Sequence, residues 1–260
     1  MTTDAFPLPN NSIDLSGQVA LVTGGSSGLG RRFAMTLAAA GANVVVAARR
    51  ADRLKSVTAE IEAAGGRCRA VTLDVTDTQQ LLGVFDEADA AFGAVTILVN
   101  NAGVPDAQRA HKMTIELIDK VLDTNLRGPY ILSCEFARRL IATATPGRIV
   151  NVSSMGAFHY TGMGAALYSI TKAAINRMTE SLAVEWARYG INVNAIAPGA
   201  FSSEMMDGML SRIGDITKGF PRQRIGDPAQ LDSTLLYLVG SASEAVTGTV
   251  VKVDDGQGPR

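Results

Sequence analysis

The chain has 260 residues, 47% of them hydrophobic, which is ample core material for one large α/β domain or two small ones. A formal net charge of -1, a pI near 6.1 and the absence of any basic run argue against nucleic acid as a partner. The longest apolar runs, such as ANVVVAA, are far too short to cross a bilayer, so no membrane association is expected.

The opening MTTDAFPLPNNSIDLSG lacks a basic start and a hydrophobic signal core, so secretion is not expected and residues 1–14 read as a loose arm. Cys68 and Cys134 stand apart, as do His111 and His159, and neither pair has metal-ligand spacing. A reduced, cytoplasmic protein that needs no metal is the plain expectation.

From residue 15 onward, short β-branched runs alternate with longer helical patterns. Strands are predicted at 19–23, 43–48, 68–73, 96–100, 148–152, 191–197 and 249–253. Helices are predicted at about 28–40, 51–64, 78–92, 114–142, 165–189 and 227–239. Several strands are apolar on both faces, as in a parallel sheet covered by helices on both sides. The alternation predicts a single domain, 15–260, built on a doubly wound parallel sheet of about seven strands. Residues 199–226 break the rhythm and read as a substrate lid or as an ordinary helical insertion. Met205, Met206 and Met209 within it would suit a flexible apolar pocket wall.

Directly after the first strand comes TGGSSGLG, Thr23 to Gly30. Gly24, Gly28 and Gly30 allow a tight strand-to-helix turn in which the backbone, with Ser26, Ser27 and Leu29, can approach a pyrophosphate at a helix N-terminus. The spacing departs from G-x-G-x-x-G, so the generic dinucleotide fingerprint is met in part. The second strand ends Ala47-Ala48-Arg49-Arg50. No carboxylate stands there to bond ribose hydroxyls, and Arg49, with help from Ser26, can clamp a 2′-phosphate. NADP(H) is therefore favoured and NAD(H) remains possible.

Tyr168 and Lys172 lie four residues apart on a predicted helix, hence on one face. A neighbouring ammonium favours the ionised phenol, so the Tyr168 pKa is expected to fall towards neutrality and suit acid–base work.

Taken together, these motifs resemble the short-chain dehydrogenase/reductase family over about Leu15 to Val253. The glycine turn is similar to the family's TGxxxGxG. Asp74, followed by Val75 in LDV, matches the adenine-contacting Asp. Asn100-Asn101-Ala102-Gly103 resembles NNAG, and Asn125 in DTNLRG matches the helix Asn of the catalytic tetrad. NVSS, Asn151 to Ser154, follows the fifth strand; Tyr168 and Lys172 match YxxxK; Pro198-Gly199 resembles the motif beside the nicotinamide. The wider-spaced enoyl reductases and the longer extended subfamily do not fit.

The resemblance implies a Rossmann-like fold and hydride transfer between a nicotinamide and a carbonyl or secondary alcohol. It assigns Tyr168 as acid/base, Lys172 to the ribose and the phenol, Ser154 to the substrate oxygen, and Asn125 to a relay water. It places Gly24, Ser26, Ser27, Gly28, Leu29, Gly30, Arg49, Asp74, Val75, Asn101, Ala102, Gly103, Pro198, Gly199 and Ser203 with Tyr168 and Lys172 around the cofactor. It also implies a homotetramer, with a dimer as the alternative. The family's Ser precedes the Tyr by thirteen positions, whereas Ser154 precedes Tyr168 by fourteen. Met155 cannot serve, so Ser154 is assigned, with Ser153 in reserve. Ser203 keeps a hydroxyl where the family has Thr, and the ending VDDGQG replaces VDGG. Asn151 could merely tie loops together. His159 and Tyr160 could line the substrate pocket or face solvent, and Cys134 reads as a packed thiol. A non-catalytic nucleotide sensor on the same fold is the competing reading.

Overall fold

The computed structural model describes residues 13–160, 162 and 164–258, so nearly all of the expected N-terminal arm lies outside the described residues. The strands are β1 (Val19–Thr23), β2 (Asn43–Ala48), β3 (Arg67–Thr72), β4 (Ile97–Asn100), β5 (Gly147–Val152), β6 (Ile191–Pro198) and β7 (Val250–Val253). The helices are α1 (Gly28–Ala39), α2 (Ala51–Ala63), α3 (Thr78–Phe92), α4 (Ile115–Leu122), α5 (Gly128–Ala142), α6 (Ala166–Trp186), α7 (Glu204–Ile213) and α8 (Asp232–Val239). One sheet runs in the order β3-β2-β1-β4-β5-β6-β7. Every pairing is parallel. The predicted strands hold, with β3 starting and ending one residue earlier than expected.

Period-two alternation explains why the sheet is buried on both sides. Leu21, Val45, Leu98, Ile149 and Val193 share a face with Phe85, Phe136, Ile175, Leu182 and Trp186 of α3, α5 and α6. Val22, Val44, Val99 and Val150 point the other way, against Phe33, Leu37, Leu54, Leu235 and Leu238 of α1, α2 and α8. The chain order reverses between β1 and β4, which opens a crevice beyond the carboxyl ends of these strands.

The single helix expected over 114–142 is instead two helices joined by a widened π turn, Asp123–Arg127. The cause is visible in the sequence. Pro129 has no N–H, so the ordinary bond from residue 129 to the carbonyl of Asn125 cannot form. Single π turns of this kind often sit at functional sites.

Candidate active site

The carboxyl end of the sheet carries a cleft of about 780 Å³, within the usual range for small-molecule and cofactor sites. Its walls include every residue assigned above to cofactor or catalysis except Gly30 and Asn125. Those two act from behind the walls. A Cβ on Gly30 would fall 2.3 Å from the Gly24 carbonyl oxygen and 2.4 Å from Asn101 Nδ2, so only glycine lets the turn close on itself. The Asn125 side chain is buried and fully engaged: its Oδ1 accepts from Val104 N–H at 2.8 Å, and its Nδ2 donates to the Val104 carbonyl at 2.9 Å and to Thr171 Oγ1 at 3.3 Å.

At the nucleotide end, the glycine turn is stitched to the loop after β4. Asn101 Nδ2 donates to the carbonyls of Thr23 at 3.0 Å and Gly24 at 3.2 Å, while Thr23 Oγ1 accepts from Asn101 N–H at 3.1 Å. Gly28 opens α1 at φ +53, and a Cβ there would press on Ser203 at 3.2 Å. The backbone thus stays bare at a helix N-terminus, which suits an approaching pyrophosphate. Asp74 is partly buried, which opposes ionisation. The N–H and hydroxyl of Thr76, with Arg49 and Lys120 nearby, nevertheless hold its carboxyl below the usual value. A dinucleotide therefore fits the residues present.

Arg49 lines the cleft, but Ser26 is not its partner. Arg50 takes that place: its Nη2 donates to Ser26 Oγ at 3.4 Å and to Ser27 Oγ at 2.8 Å. The first of the two arginines is the clamp expected from the sequence. The second, opening α2, is the one whose side chain folds back over the glycine turn. Glu204, which the sequence reading did not single out, also meets Arg50 here.

At the other end, Ser154, Tyr168 and Lys172 share the cleft wall with Gly103. Lys172 is buried and donates from Nζ to the Val152 carbonyl at 2.7 Å; its Nζ lies 5.6 Å from the centre of the Tyr168 ring. Burial lowers the Lys172 pKa from 10.5 to about 8. The expected fall in the Tyr168 pKa is reversed. Burial of the phenol raises it, a hydrogen bond with Ser154 pulls it down, and the Asp106 carboxylate pushes it up. The ammonium is spent on a carbonyl rather than on the phenol, so desolvation wins.

The two serines differ in their partners. Ser153 is buried, with its Oγ donating to the Lys172 carbonyl at 3.2 Å. Ser154 faces the cleft, and its Oγ accepts from Gly156 N–H at 3.0 Å at the start of a short 3-10 turn, Met155–Ala157. Asn151 ties the sheet internally, joining Asn100 at 2.9 Å and Thr179 at 2.9 Å. His159 and Tyr160 are exposed and not on the cleft walls. Cys134 is half-buried against the core, and burial raises its thiol pKa. Met205, Met206 and Met209 of α7 all line the cleft.

Two buried residues that sequence reasoning missed frame the site. Thr171 donates to the Tyr168 carbonyl at 2.8 Å. Asp106 receives the N–H groups of Leu167 and Tyr168. The signal for Asp106 was an absence: the helix start Ala165-Ala166 offers no capping side chain of its own.

Comparison with known proteins agrees with this geometry. A family profile described as short chain dehydrogenase matches residues 18–213. The chain is 34% identical to 2-dehydro-3-deoxy-D-gluconate 5-dehydrogenase of Dickeya dadantii (strain 3937), covering 95% of this chain and 97% of that protein. It is 33% identical to NAD-dependent glycerol dehydrogenase of Listeria innocua, covering 95% and 96%. Among solved structures, a variant of actinorhodin polyketide ketoreductase with NADPH superposes with a TM-score of 0.89 at 31% identity, covering 94% of this chain and 98% of that one. With its seven-stranded parallel sheet and full-length likeness to these dehydrogenases and reductases, the chain belongs to the short-chain dehydrogenase family and is an oxidoreductase acting on CH–OH groups.

Proposed function

We propose that this enzyme moves hydride between NADP(H) and a ketone or its secondary alcohol, with Tyr168 as general acid/base. The observation that carries the reading is the meeting of Ser154, Tyr168 and Lys172 on a wall continuous with the glycine turn. The bound nicotinamide would supply or receive the hydride. Ser154 Oγ would donate to the substrate oxygen and stabilise its developing charge. In reduction, Tyr168 Oη gives its proton to that oxygen; in oxidation it takes the proton back. Burial keeps the phenol protonated at rest, with Lys172 Nζ 5.6 Å from the ring centre. Asn125 fixes Val104 through its side chain. Its carbonyl, denied the usual donor by Pro129, is the group to hold the relay water.

For the cofactor, Arg49, Arg50, Ser26 and Ser27 on the cleft, with no carboxylate at the end of β2, support NADP(H). NAD(H) is the second reading, favoured by Glu204 among these arginines and by the relative named for NAD. Relatives named for a sugar acid and for glycerol support a polyhydroxylated substrate. Residues 199–226 would act as its lid, with Met205, Met206 and Met209 as the apolar wall. Exposed Ile170 and Val184 on α6 and Tyr130 on α5 would suit self-association as a tetramer or dimer. No helix among the described residues is long and apolar enough to cross a membrane, and we place the enzyme in the cytoplasm.

Replacing Tyr168 with Phe should cut turnover by a factor on the order of 10³ while leaving NADPH affinity nearly intact. Turnover close to wild type would refute the assignment. Tighter binding of NADH than NADPH in a fluorescence titration would refute the cofactor choice. Inactivity against a broad panel of ketones and sugar acids, with cofactor bound, would favour the nucleotide sensor.

A further inference from the structure

Glu204 is the first residue of α7, and its exposed side chain lies at the nucleotide end of the cleft. Its Oε2 accepts from Arg50 Nη2 at 2.8 Å and from Ser27 Oγ at 3.2 Å. Its Oε1 accepts from Arg53 Nη1 at 2.8 Å and from Arg50 Nη1 at 3.3 Å. The Arg50 hydrogen bond, reinforced by Ser27 and Arg53, holds the carboxyl below the usual carboxylate range. The position also suits an anion for a second reason: Ser203 caps α7, with its Oγ accepting from Met206 N–H at 3.2 Å, so Glu204 sits at the positive end of that helix.

Three elements meet in this contact. Ser27 stands at the N-cap position of α1, Arg50 and Arg53 come from the start of α2, and Glu204 comes from the segment over the cleft. The donors that Glu204 engages, a guanidinium fork and a serine hydroxyl beside a helix N-terminus, are the donors a phosphate monoester seeks. One guanidinium cannot serve a carboxylate and a dianionic phosphate in the same place, and the two anions repel.

We propose that Glu204 is a cofactor-discriminating latch: it holds Arg50 and Ser27 against a 2′-phosphate and, through them, ties α7 to the glycine turn. This rests on the reading that the cleft takes a nicotinamide dinucleotide, and it adds a residue of the lid to the determinants of cofactor choice. A 2′-phosphorylated ligand must displace the carboxylate and loosen the start of α7. A ligand with a free 2′-hydroxyl leaves the latch closed. Glu204 therefore weighs against NADP(H) while Arg49 and Arg50 weigh for it, which makes this enzyme less selective than its arginines alone would make it.

The test is equilibrium binding, by calorimetry, of 2′,5′-ADP and 5′-AMP to the wild type and to Glu204→Gln. The variant is exposed and uncharged, and circular dichroism checks its fold. The expected result is tightening for 2′,5′-ADP by about threefold or more, with 5′-AMP changed by less than about twofold. The gain should vanish in an Arg50→Gln background. An unchanged ratio, or weaker 2′,5′-ADP binding in Glu204→Gln, overturns the proposal. Hydrogen exchange provides the second arm: amides of 204–213 should exchange faster with 2′,5′-ADP bound than with 5′-AMP bound, and equal rates would refute the tie to α7. If wild type prefers NADH, the NADP(H) reading fails on its own, while the shift caused by Glu204→Gln still decides the latch.

Discussion

Asp106 holds the backbone of Tyr168. Its Oδ2 accepts from Leu167 N–H at 2.9 Å and from Tyr168 N–H at 3.2 Å, so the loop that follows Asn101-Ala102-Gly103 caps the helix that carries the proposed acid/base phenol. Two free N–H groups of α6 are satisfied from outside the helix. Asp106→Ala should therefore lower stability by about 1–3 kcal/mol and reduce kcat, read by urea unfolding and steady-state kinetics. Asp106→Asn keeps an acceptor but loses the charge that helps raise the Tyr168 pKa. Oxidation needs the phenolate, so its rate rises with pH; in Asp106→Asn that rise should move to lower pH. An unmoved profile would show that the carboxylate acts by geometry alone.

Lys172 makes stability depend on pH with a defined sign. Its pKa is about 8 in the fold against 10.5 as the ordinary value. Between these values the unfolded chain binds the proton and the folded chain does not, so stability rises with pH across that window and is lowest below it. The span amounts to something on the order of 3 kcal/mol. Lys172→Met should flatten the pH dependence between about 8 and 10.5 and lower kcat by about 10²-fold. Denaturant midpoints at pH 7, 9 and 10 check the first part; a slope equal to wild type would contradict it.

Gly30 tests whether the turn is set by sterics. Its missing Cβ would meet a carbonyl oxygen and an amide nitrogen inside 2.5 Å. Gly30→Ala should cost about 1–3 kcal/mol and weaken dinucleotide binding, because Gly24 and Asn101 must both move. Thermal melts and a nucleotide titration measure the two effects separately.

Asn151 is predicted to be structural. It links Asn100 to Thr179 beneath the cleft, with Asn100 passing the link on to Ser133 at 3.0 Å. Asn151→Ala should destabilise the protein by about 1–3 kcal/mol and leave the cofactor Kd within about twofold. A large change in Kd at unchanged stability would assign it to the site instead.

Most of the architecture was legible because parallel strands buried on both faces announce themselves, as VALVT and NVVVAA do. The glycine turn and the Tyr168–Lys172 pair were legible because their chemistry depends on local spacing. What escaped depended on partners distant in sequence. Asp106 acts on a helix sixty residues away, Glu204 on arginines one hundred and fifty residues away, and no periodicity reports such meetings. The direction of the Tyr168 pKa shift is hidden for the same reason: spacing shows the neighbouring ammonium but neither the burial nor the Val152 carbonyl that occupies it. The π turn was different, since Pro129 stands four residues after Asn125 and the missing N–H could have been read directly.

Helix α7 lines the cleft yet contributes no fully buried side chain. Substitutions there remove little from the apolar core, so they should be nearly neutral for folding while they alter what the cleft admits. A library confined to Met205, Met206 and Met209 is thus the economical route to new substrates, with the melting temperature expected to stay within a few degrees of the parent.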